Sequence, residues 1–399
     1  MKLLRKKLKN GMTVIMEKRE LPVVSVAVTN RFGAAFEESK IKGIAHVIEH
    51  MVFKGTKTRT HEDISREIEK KGGILNAFTS NEVTSFWFKL PSEHLFAGLD
   101  IITDIIKNPK FDRKNFEKEK KVILEEIKMY HDIPARNIYD KIFENLYEYP
   151  IGEGIIGSKE TVSSLDRDFV YNYYKENYQH NNFIISVVGS ADFKEICDYF
   201  EKNFNFKSKE MKIKEIKKRN ADSVEERESI DQAHFILAVH APIVGDKKYP
   251  VLEVLDAYLA SGMSSRLFLE IREERGLAYS IRSSIDSEKS YSYYSIYAGT
   301  RKEVVNEVKE IIIKEFNKVS SSMTEKDLAE AKQRLVGLRK INSEESDSVM
   351  NEITFMELAD NIDEYSEHEK RINNVKLEEV KKLASELIKE YSTAAIVPK

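Results

Sequence analysis

The order of strand-like and helix-like segments in the first half of this chain recurs in its second half. The first half contains the successive runs VVSVAVTNRF, GIAHVIEHMVFKG and SFWFKL, and the second contains FILAVHAP, YPVLEVLDAYLASG and SYYSIYAGT. Each half then closes on a strand-like run, FIISVVG or TAAIVP. A recurrence near half the chain length indicates duplication of one α/β unit, so we expect two domains of similar fold.

The joint between the two copies lies in a charged stretch with few apolar residues. This stretch, KSKEMKIKEIKKRNADSVEERESIDQ, is typical of a linker or an exposed edge. We therefore predict an N-terminal domain over 1–206, a linker over 207–232 and a C-terminal domain over 233–399.

Charge and cysteine content narrow the expected location and partners. A net charge of −3 gives no general attraction to nucleic acid or to an anionic membrane. The single cysteine, Cys197, excludes an internal disulfide framework and fits a reducing compartment. The basic start is not followed by an apolar leader segment, and no run reaches the roughly 18 apolar residues of a membrane span. We expect a cytoplasmic protein that binds neither nucleic acid nor membrane.

Three titratable side chains interrupt the apolar run GIAHVIEHMVFKG. His46, Glu49 and His50 lie at positions i, i+3 and i+4, which share about a third of a helix circumference. Two histidines one turn apart can bind one zinc ion, at roughly 2.0–2.1 Å each, and H-x-x-E-H is a zinc motif. The alternative is a helix with two hydrogen-bonded histidines and a surface glutamate, because so short a pattern also occurs by chance.

The corresponding helix of the second copy lacks this pattern. YPVLEVLDAYLASG places Glu253, Asp256 and Ala257 where the first copy has its two histidines and glutamate. The fold unit therefore does not need the histidines in order to form, and we predict that the C-terminal domain lacks metal ligands.

A third ligand is predicted on the helix KNFEKEKKVILEEIKMY. Glu119 and Glu126 lie on its apolar stripe, whereas Glu125 is rotated by about 100° toward the charged side. A carboxylate on a buried face costs several kcal/mol unless a cation or hydrogen bonds meet it. We predict that Glu126 binds the metal and that Glu119 supports the ligands from outside. The alternative is an amphipathic helix at a solvated edge, with both carboxylates in water.

With these motifs the chain resembles the inverzincin zinc peptidases: pitrilysin, insulin-degrading enzyme, the mitochondrial processing peptidase and their short two-domain bacterial and archaeal relatives. The metal motif is matched by HVIEH with the spacing to Glu126, and the ligand helix by FEKEKKVILEEIKMYHDIP. Three further family segments are matched by GGILNAFTS, YPIGEGIIGSKETV and SSRLFLEIREERGLAYSIRS. The resemblance covers essentially the whole chain. We therefore expect an α+β fold of two homologous domains, each a mostly antiparallel sheet packed with helices.

The resemblance implies a zinc-dependent endopeptidase that acts on peptides or unfolded segments. One Zn²⁺ per chain, held by His46, His50 and Glu126, would leave a position for water, whose pKa falls to about 7. Glu49 would act as general base toward that water and then pass the proton to the leaving amine. Glu119 corresponds to an earlier glutamate of the family's ligand helix and is included among the catalytic candidates.

Two further groups of residues take their expected roles from the resemblance. Asn76, Ala77 and Phe78 match residues that touch the substrate, and their strand would bind an extended peptide by β-augmentation. An ordinary internal strand is the alternative, since sheet edges are not visible in a sequence. Arg272 and Tyr279 match a paired Arg and Tyr that anchor a substrate carbonyl and stabilise the oxyanion. Viewed locally, Arg272 is equally an ion-pairing residue on a helix surface.

Assembly and the competing functional class also follow from the resemblance. Long family members chain four such units, with zinc in the first and the Arg/Tyr pair in the fourth. This chain has two units, so we expect a homodimer with shared active sites and a peptide substrate. The competing class is a non-catalytic scaffold or regulatory subunit. Such relatives lose ligands or the intervening glutamate, and this chain keeps both, which favours the enzyme.

Overall fold

The computed structural model describes residues 3–178, 181–206, 212–213 and 215–399, and the structural statements below refer to these residues. Part of the predicted linker, 207–211 and 214, lies outside them. Within the described residues, no helix combines the length and the apolar character that crossing a lipid bilayer requires.

Strands and helices alternate in an order that repeats along the chain. The strands are β1 (Leu3–Lys7), β2 (Thr13–Lys18), β3 (Val23–Asn30), β4 (Ile74–Thr79), β5 (Thr84–Pro91), β6 (Phe183–Gly189), β7 (Asp222–Arg227), β8 (Ala233–His240), β9 (Ala278–Ser287), β10 (Ser292–Thr300) and β11 (Ser392–Pro398). The α-helices are α1 (Ile44–Val52), α2 (His61–Glu69), α3 (Leu95–Lys107), α4 (Arg113–Asp132), α5 (Pro134–Leu146), α6 (Lys159–Ser164), α7 (Arg167–Tyr178), α8 (Phe193–Asn203), α9 (Tyr249–Leu259), α10 (Val305–Ser322), α11 (Glu325–Asn342), α12 (Ser346–Leu358), α13 (His368–Asn374) and α14 (Leu377–Leu387).

The strands of the described residues form two sheets with matching order. The first sheet runs β1-β2-β6-β3-β5-β4 and the second runs β7-β11-β8-β10-β9. In each, one pair is parallel, β2 with β6 and β7 with β11, and the other pairs are antiparallel. The second sheet therefore repeats the last five positions of the first. This order confirms the predicted α+β fold of two homologous, mostly antiparallel units.

The chain folds into two compact units, and each takes one segment from the opposite half of the sequence. Unit 1 comprises Met1–Lys128, Glu153–Glu215 and Asn342–Leu358, and unit 2 comprises Met129–Gly152, Ile216–Ile341 and Ala359–Lys399. Helix α12 thus belongs to unit 1 and helix α5 to unit 2. The boundary at 207–232 stays a prediction for where the two sequence copies meet, because the compact units are divided differently.

The exchanged helices cover one face of each sheet. In unit 1, α12 packs on β3 and β6, where Thr354 donates a hydrogen bond to the Ser186 hydroxyl at 2.6 Å. Val24, Val26 and Val28 of β3 point into the main core on the opposite face. In unit 2, α5 packs on β8 and β11. Since both faces of these central strands are covered, they are apolar along most of their length, as the continuous run FIISVVG indicates.

The predicted linker contains an edge strand. Strand β7 lies within 207–232 and pairs in parallel with β11. Its residues alternate between exposed and half-buried positions, because only one of its faces meets the protein. Four of its six residues, Asp222, Glu225, Glu226 and Arg227, are charged, which accounts for the linker-like composition of the stretch.

Candidate metal centre

The helix α1, which carries HVIEH, lies in the core of unit 1. Its apolar residues and His46 are buried, whereas Glu49 and His50 are half-buried. The helix begins after Gly43, whose φ of 93° lies in the left-handed region that favours glycine. The polar side chains therefore emerge from one edge of an otherwise buried helix.

A buried carboxylate fixes the start of α1. Glu37 accepts hydrogen bonds from the backbone N–H of Gly43 at 2.9 Å and of Ala45 at 2.7 Å. Lys42 Nζ lies 3.9 Å from this carboxylate and donates to the carbonyl of Ala34. Burial raises the pKa of Glu37 to about 7, an effect that the Lys42 charge and the two backbone bonds oppose. An acidic side chain at a helix N-terminus satisfies N–H groups that have no partner within the helix.

A glycine-rich loop also packs against the start of this helix. A Cβ added to Gly43 would lie 2.6 Å from the carbonyl oxygen of Ile156, and one added to Gly157 would lie 2.3 Å from that of Lys42. Both glycines are therefore required by the close approach of two backbones. The loop belongs to YPIGEGIIGSKETV, one of the segments that carry the family resemblance, and it packs against the start of α1.

The three predicted ligands converge. His46 Nε2 lies 3.7 Å and His50 Nε2 lies 3.5 Å from Glu126 Oε2. The three ligand atoms lie within 4.8 Å of one another. Tetrahedral zinc with bonds of roughly 2.0–2.1 Å places its ligand atoms about 3.3 Å apart, close to both distances from Glu126. Two imidazoles and one carboxylate are a ligand set of catalytic zinc sites. The residues present therefore fit a zinc ion, and Glu126 lies on the helix face that the stripe predicts.

The pKa shifts of His46 and Glu126 favour metal coordination. The pKa of His50, in contrast, is raised, because the effect of burial, which lowers it, is outweighed by hydrogen bonds to Glu126 and Glu119. Burial and the neighbouring His50 together lower the pKa of His46 to about 4, although Glu126 acts in the opposite direction, so His46 is neutral near pH 7. A neutral imidazole is the form that coordinates metal. Contact with His50 lowers the pKa of Glu126 although its partial burial acts in the opposite direction, so this carboxylate is ionised.

Glu119 is not one of the three converging side chains, but it contacts one of them, His50. Its side chain is buried, with Oε2 3.3 Å from His50 Nδ1 and Oε1 3.0 Å from Lys54 Nζ. Glu119 therefore lies next to a predicted ligand, and its supporting role and its part in catalysis stay predictions. Lys54 is not predicted from the sequence. Its place four residues after His50, just beyond the end of α1, is the signal that could have identified it.

Glu49 has a hydrogen-bond partner on a neighbouring strand. Thr79 donates its hydroxyl proton to Glu49 Oε2 over 2.6 Å. Burial raises the pKa of Glu49, and the bond from Thr79 opposes that rise. Like Lys54, Thr79 contacts a site residue but is not singled out by the sequence motifs, although it directly follows the segment Asn76–Phe78.

Strand β4 is the last strand of its sheet, with β5 as its one neighbour among the described residues. Asn76 is exposed, while Ala77 and Phe78 are half-buried. The Phe78 ring stacks on Phe355 at 6.2 Å between centroids. β4 is therefore an edge strand and not the internal strand of the alternative interpretation, and the substrate-binding role of these residues stays a prediction.

Arg272 and Tyr279 lie together in unit 2. Arg272 belongs to a π-helical segment, Phe268–Glu274, and Tyr279 lies at the start of β9. The guanidinium stands 4.8 Å from the Phe268 ring centroid and 5.5 Å from that of Tyr279. Tyr279 is 77% exposed, and the Arg272 contact with Glu273 is a loose 3.7 Å. The structure thus pairs the two side chains, while their catalytic roles stay predictions.

The matching helix of unit 2 carries different polar contacts. On α9, Glu253 lies 3.1 Å from His368 Nε2. Among the described residues, three metal-ligating side chains converge at His46, His50 and Glu126 and at no other group. The expected absence of metal ligands from the second copy stays a prediction.

Comparisons with known proteins identify relatives across the chain. The family model "Insulinase (Peptidase family M16)" matches residues 13–159, and "Peptidase M16 inactive domain" matches 164–335. The uncharacterized zinc protease YmxG of Bacillus subtilis is 32% identical, over 98% of this chain and 97% of that protein.

Solved structures share the fold. A protease from Helicobacter pylori superposes with a TM-score of 0.93 at 21% identity, covering 100% of this chain and 99% of the other. The peptidase M16 inactive domain from Pseudomonas fluorescens gives 0.92 at 16% identity, covering 100% and 98%. At these identities the likeness establishes the fold alone.

The geometry predicts that Glu126 and Glu125 differ in their effect on metal binding. Glu126→Gln should weaken zinc binding, because its carboxylate meets both histidines. Glu125 is 71% exposed and pairs with Lys128 at 2.6 Å, so Glu125→Gln should leave affinity nearly unchanged. Competition with a zinc chelator measures both values. Sensitivity at Glu125 instead of Glu126 would contradict the ligand assignment.

The buried Glu37 predicts a pH-dependent contribution to stability. Its pKa is raised from 4.5 to about 7, so between these values the folded chain binds a proton that the unfolded chain releases. Stability should therefore fall as pH rises through this window, by roughly 1.4 kcal/mol per pH unit from this group. Glu37→Gln cannot release that proton, so its free energy of unfolding should gain relative to wild type from about pH 5 to about pH 7.

Urea denaturation of both proteins at the two pH values measures this relative change. Glu38→Gln is the matched control, because Glu38 is the exposed neighbour of Glu37 and should follow wild type. An equal pH dependence for Glu37→Gln and wild type would show that Glu37 does not bind the proton.

Proposed function

Because this chain belongs to peptidase family M16, we propose that it is a zinc-dependent endopeptidase hydrolysing peptides or unfolded protein segments. The observation that carries the proposal is the convergence of His46, His50 and Glu126 on one edge of α1, with the carboxylate of Glu49 beside them. A relative named as a zinc protease over nearly the full length supports it.

The chain's own residues supply positioning and proton transfer. When bound by His46, His50 and Glu126, a zinc ion supplies Lewis acidity toward water and a peptide carbonyl. Glu49 would take a proton from the attacking water and deliver it to the leaving amine. Because Glu49 precedes the ligand His50 on the same helix and is held by Thr79, its distance to the reacting atoms is set without a moving part.

The edge of β4 supports an extended peptide as substrate. A peptide that pairs with an edge strand is recognised through its main chain, so side-chain identity matters less than an unfolded conformation. Asn76, Ala77 and Phe78 are the residues of β4 proposed to contact it. Peptides and unfolded segments meet this requirement, and folded proteins do not.

A non-catalytic subunit is the alternative function. The observation that favours it is the match of residues 164–335 to the M16 inactive domain. That match begins after the helices that carry the ligands, however, whereas residues 13–159, which hold His46, Glu49, His50 and Glu126, match the insulinase model. The retained ligands and glutamate support the enzyme.

We also propose that the working form is a homodimer with shared active sites. The metal ligands lie in unit 1, and Arg272 with the 77%-exposed Tyr279 lies in unit 2. In a dimer with two-fold symmetry, Tyr279 of one chain would face the zinc of the other, where its hydroxyl would stabilise the oxyanion. Two-fold pairing gives two equivalent sites.

Substitution of the proposed base separates metal binding from turnover. The purified protein should contain about one zinc per chain, and Glu49→Gln should retain it while cleavage of quenched fluorescent peptides falls by about 10²–10⁴-fold. Elemental analysis and peptide cleavage are measured on the same samples, with Glu125→Gln as the control. Normal cleavage by Glu49→Gln would eliminate the mechanism, and no cleavage by wild type of any peptide would favour the non-catalytic alternative.

Mixing two inactive variants tests the shared site. Glu49→Gln and Tyr279→Phe chains are combined under conditions that let subunits exchange. Each mixed dimer would contain one intact site, and random pairing makes half the dimers mixed, so activity should rise to roughly a quarter of wild type. A mixture that stays inactive would show that each chain completes its own site or acts alone.

A further inference from the structure

Lys54 is connected to the metal ligands through one carboxylate. Its Nζ lies 3.0 Å from Glu119 Oε1, and Glu119 Oε2 lies 3.3 Å from His50 Nδ1. His50 Nε2 in turn faces Glu126 at 3.5 Å. An ammonium, a carboxylate and an imidazole thus form a continuous chain that ends at the proposed zinc position.

The backbone of Lys54 is hydrogen-bonded to α4, the helix that also carries Glu119. Asn115 donates a side-chain hydrogen bond to the carbonyl of Lys54 over 3.3 Å. Asn115 and Glu119 lie four residues apart on α4, so they share one face. Lys54 itself lies two residues beyond the end of α1. The chain segment after the histidine helix is therefore tied to the ligand helix at two points, one through backbone and one through charge.

The burial of Glu119 explains why a cation is needed there. Its side chain is 5% exposed, and a buried carboxylate without a compensating partner is strongly destabilised. Among the described residues, Lys54 is the lysine or arginine within ion-pair distance of Glu119. Glu119 Oε1 pairs with Lys54, and Glu119 Oε2 faces the imidazole of His50.

We propose that Lys54 is a positioning residue of the metal centre. Its charge holds the Glu119 carboxylate against His50, so that His50 donates from Nδ1 and presents Nε2 to the metal. A hydrogen bond from the non-ligating nitrogen fixes the tautomer and the ring orientation of a metal-binding histidine. This inference rests on the proposed function, since it presupposes zinc at His46, His50 and Glu126.

The expected effect is a loss of zinc affinity with the fold retained. Lys54→Met keeps the apolar stem and removes the charge, so affinity should fall by about 10–100-fold, the range for partners that act through a ligand. Lys54→Arg should recover most of the loss, because a guanidinium also pairs with a carboxylate. Lys57→Met is the matched control, since Lys57 is an exposed lysine of the same loop and should bind zinc as wild type does.

Zinc affinity is measured by chelator competition, with thermal unfolding of the metal-free proteins as a check of folding. A double substitution shows whether Lys54 acts through Glu119: in a Glu119→Gln background, Lys54→Met should cause no further loss. Lys54→Gln replaces Lys54→Met if the latter fails to fold.

Three results would overturn the inference or its premise. Unchanged affinity in Lys54→Met, or in Lys54→Gln, would show that the charge does not support the ligand. An equal loss with and without Glu119 would show that Lys54 acts by another route. A wild-type protein that binds no zinc would overturn the proposed function as well, which distinguishes that failure from the other two.

Discussion

The contact between α1 and α4 is the constraint on which the candidate site depends. It brings carboxylates of one helix against histidines of the other inside a core that is otherwise apolar, and buried charge is tolerated only where it is matched. Each buried carboxylate near the site accordingly has a partner: Glu119 contacts Lys54 and His50, and Glu37 accepts backbone N–H groups beside Lys42. The polar groups are thereby oriented by the fold itself, which is the condition for a preorganised metal site.

The duplicated architecture separates the demands of the fold from those of the site. Both sheets have the same strand order over five positions, and each has one parallel pair. The helix that follows β3 is α1, and the helix that follows the equivalent strand β8 is α9. In α9 the acidic Glu253 instead lies 3.1 Å from His368 Nε2. The fold therefore accepts polar side chains on this helix in both units. Among the described residues, three possible metal ligands converge in unit 1.

Periodicity explains which features could be predicted from the sequence. The phase of α4 follows from its apolar stripe, so Glu126 could be separated from Glu125 without a structure. The exchange of α5 and α12 could not be predicted, because an amphipathic pattern shows that a helix covers an apolar surface without showing which sheet it covers. Strand β7 was hidden in a linker-like stretch by its exposed alternate residues. Lys54 and Thr79 are ordinary residue types whose roles depend on spatial contacts, which a sequence does not display.

The link between β4 and α1 joins substrate binding to proton transfer in the proposed enzyme. Thr79 ends the strand that would pair with the peptide, and the same residue donates to Glu49. A main chain bound along β4 takes its register from that strand, because each hydrogen bond fixes its position by one residue. Glu49, the proposed base, is hydrogen-bonded to the end of the same strand, so the register of a bound peptide would also set the distance from its carbonyl groups to Glu49. In the proposed enzyme one strand would therefore align peptide binding with proton transfer.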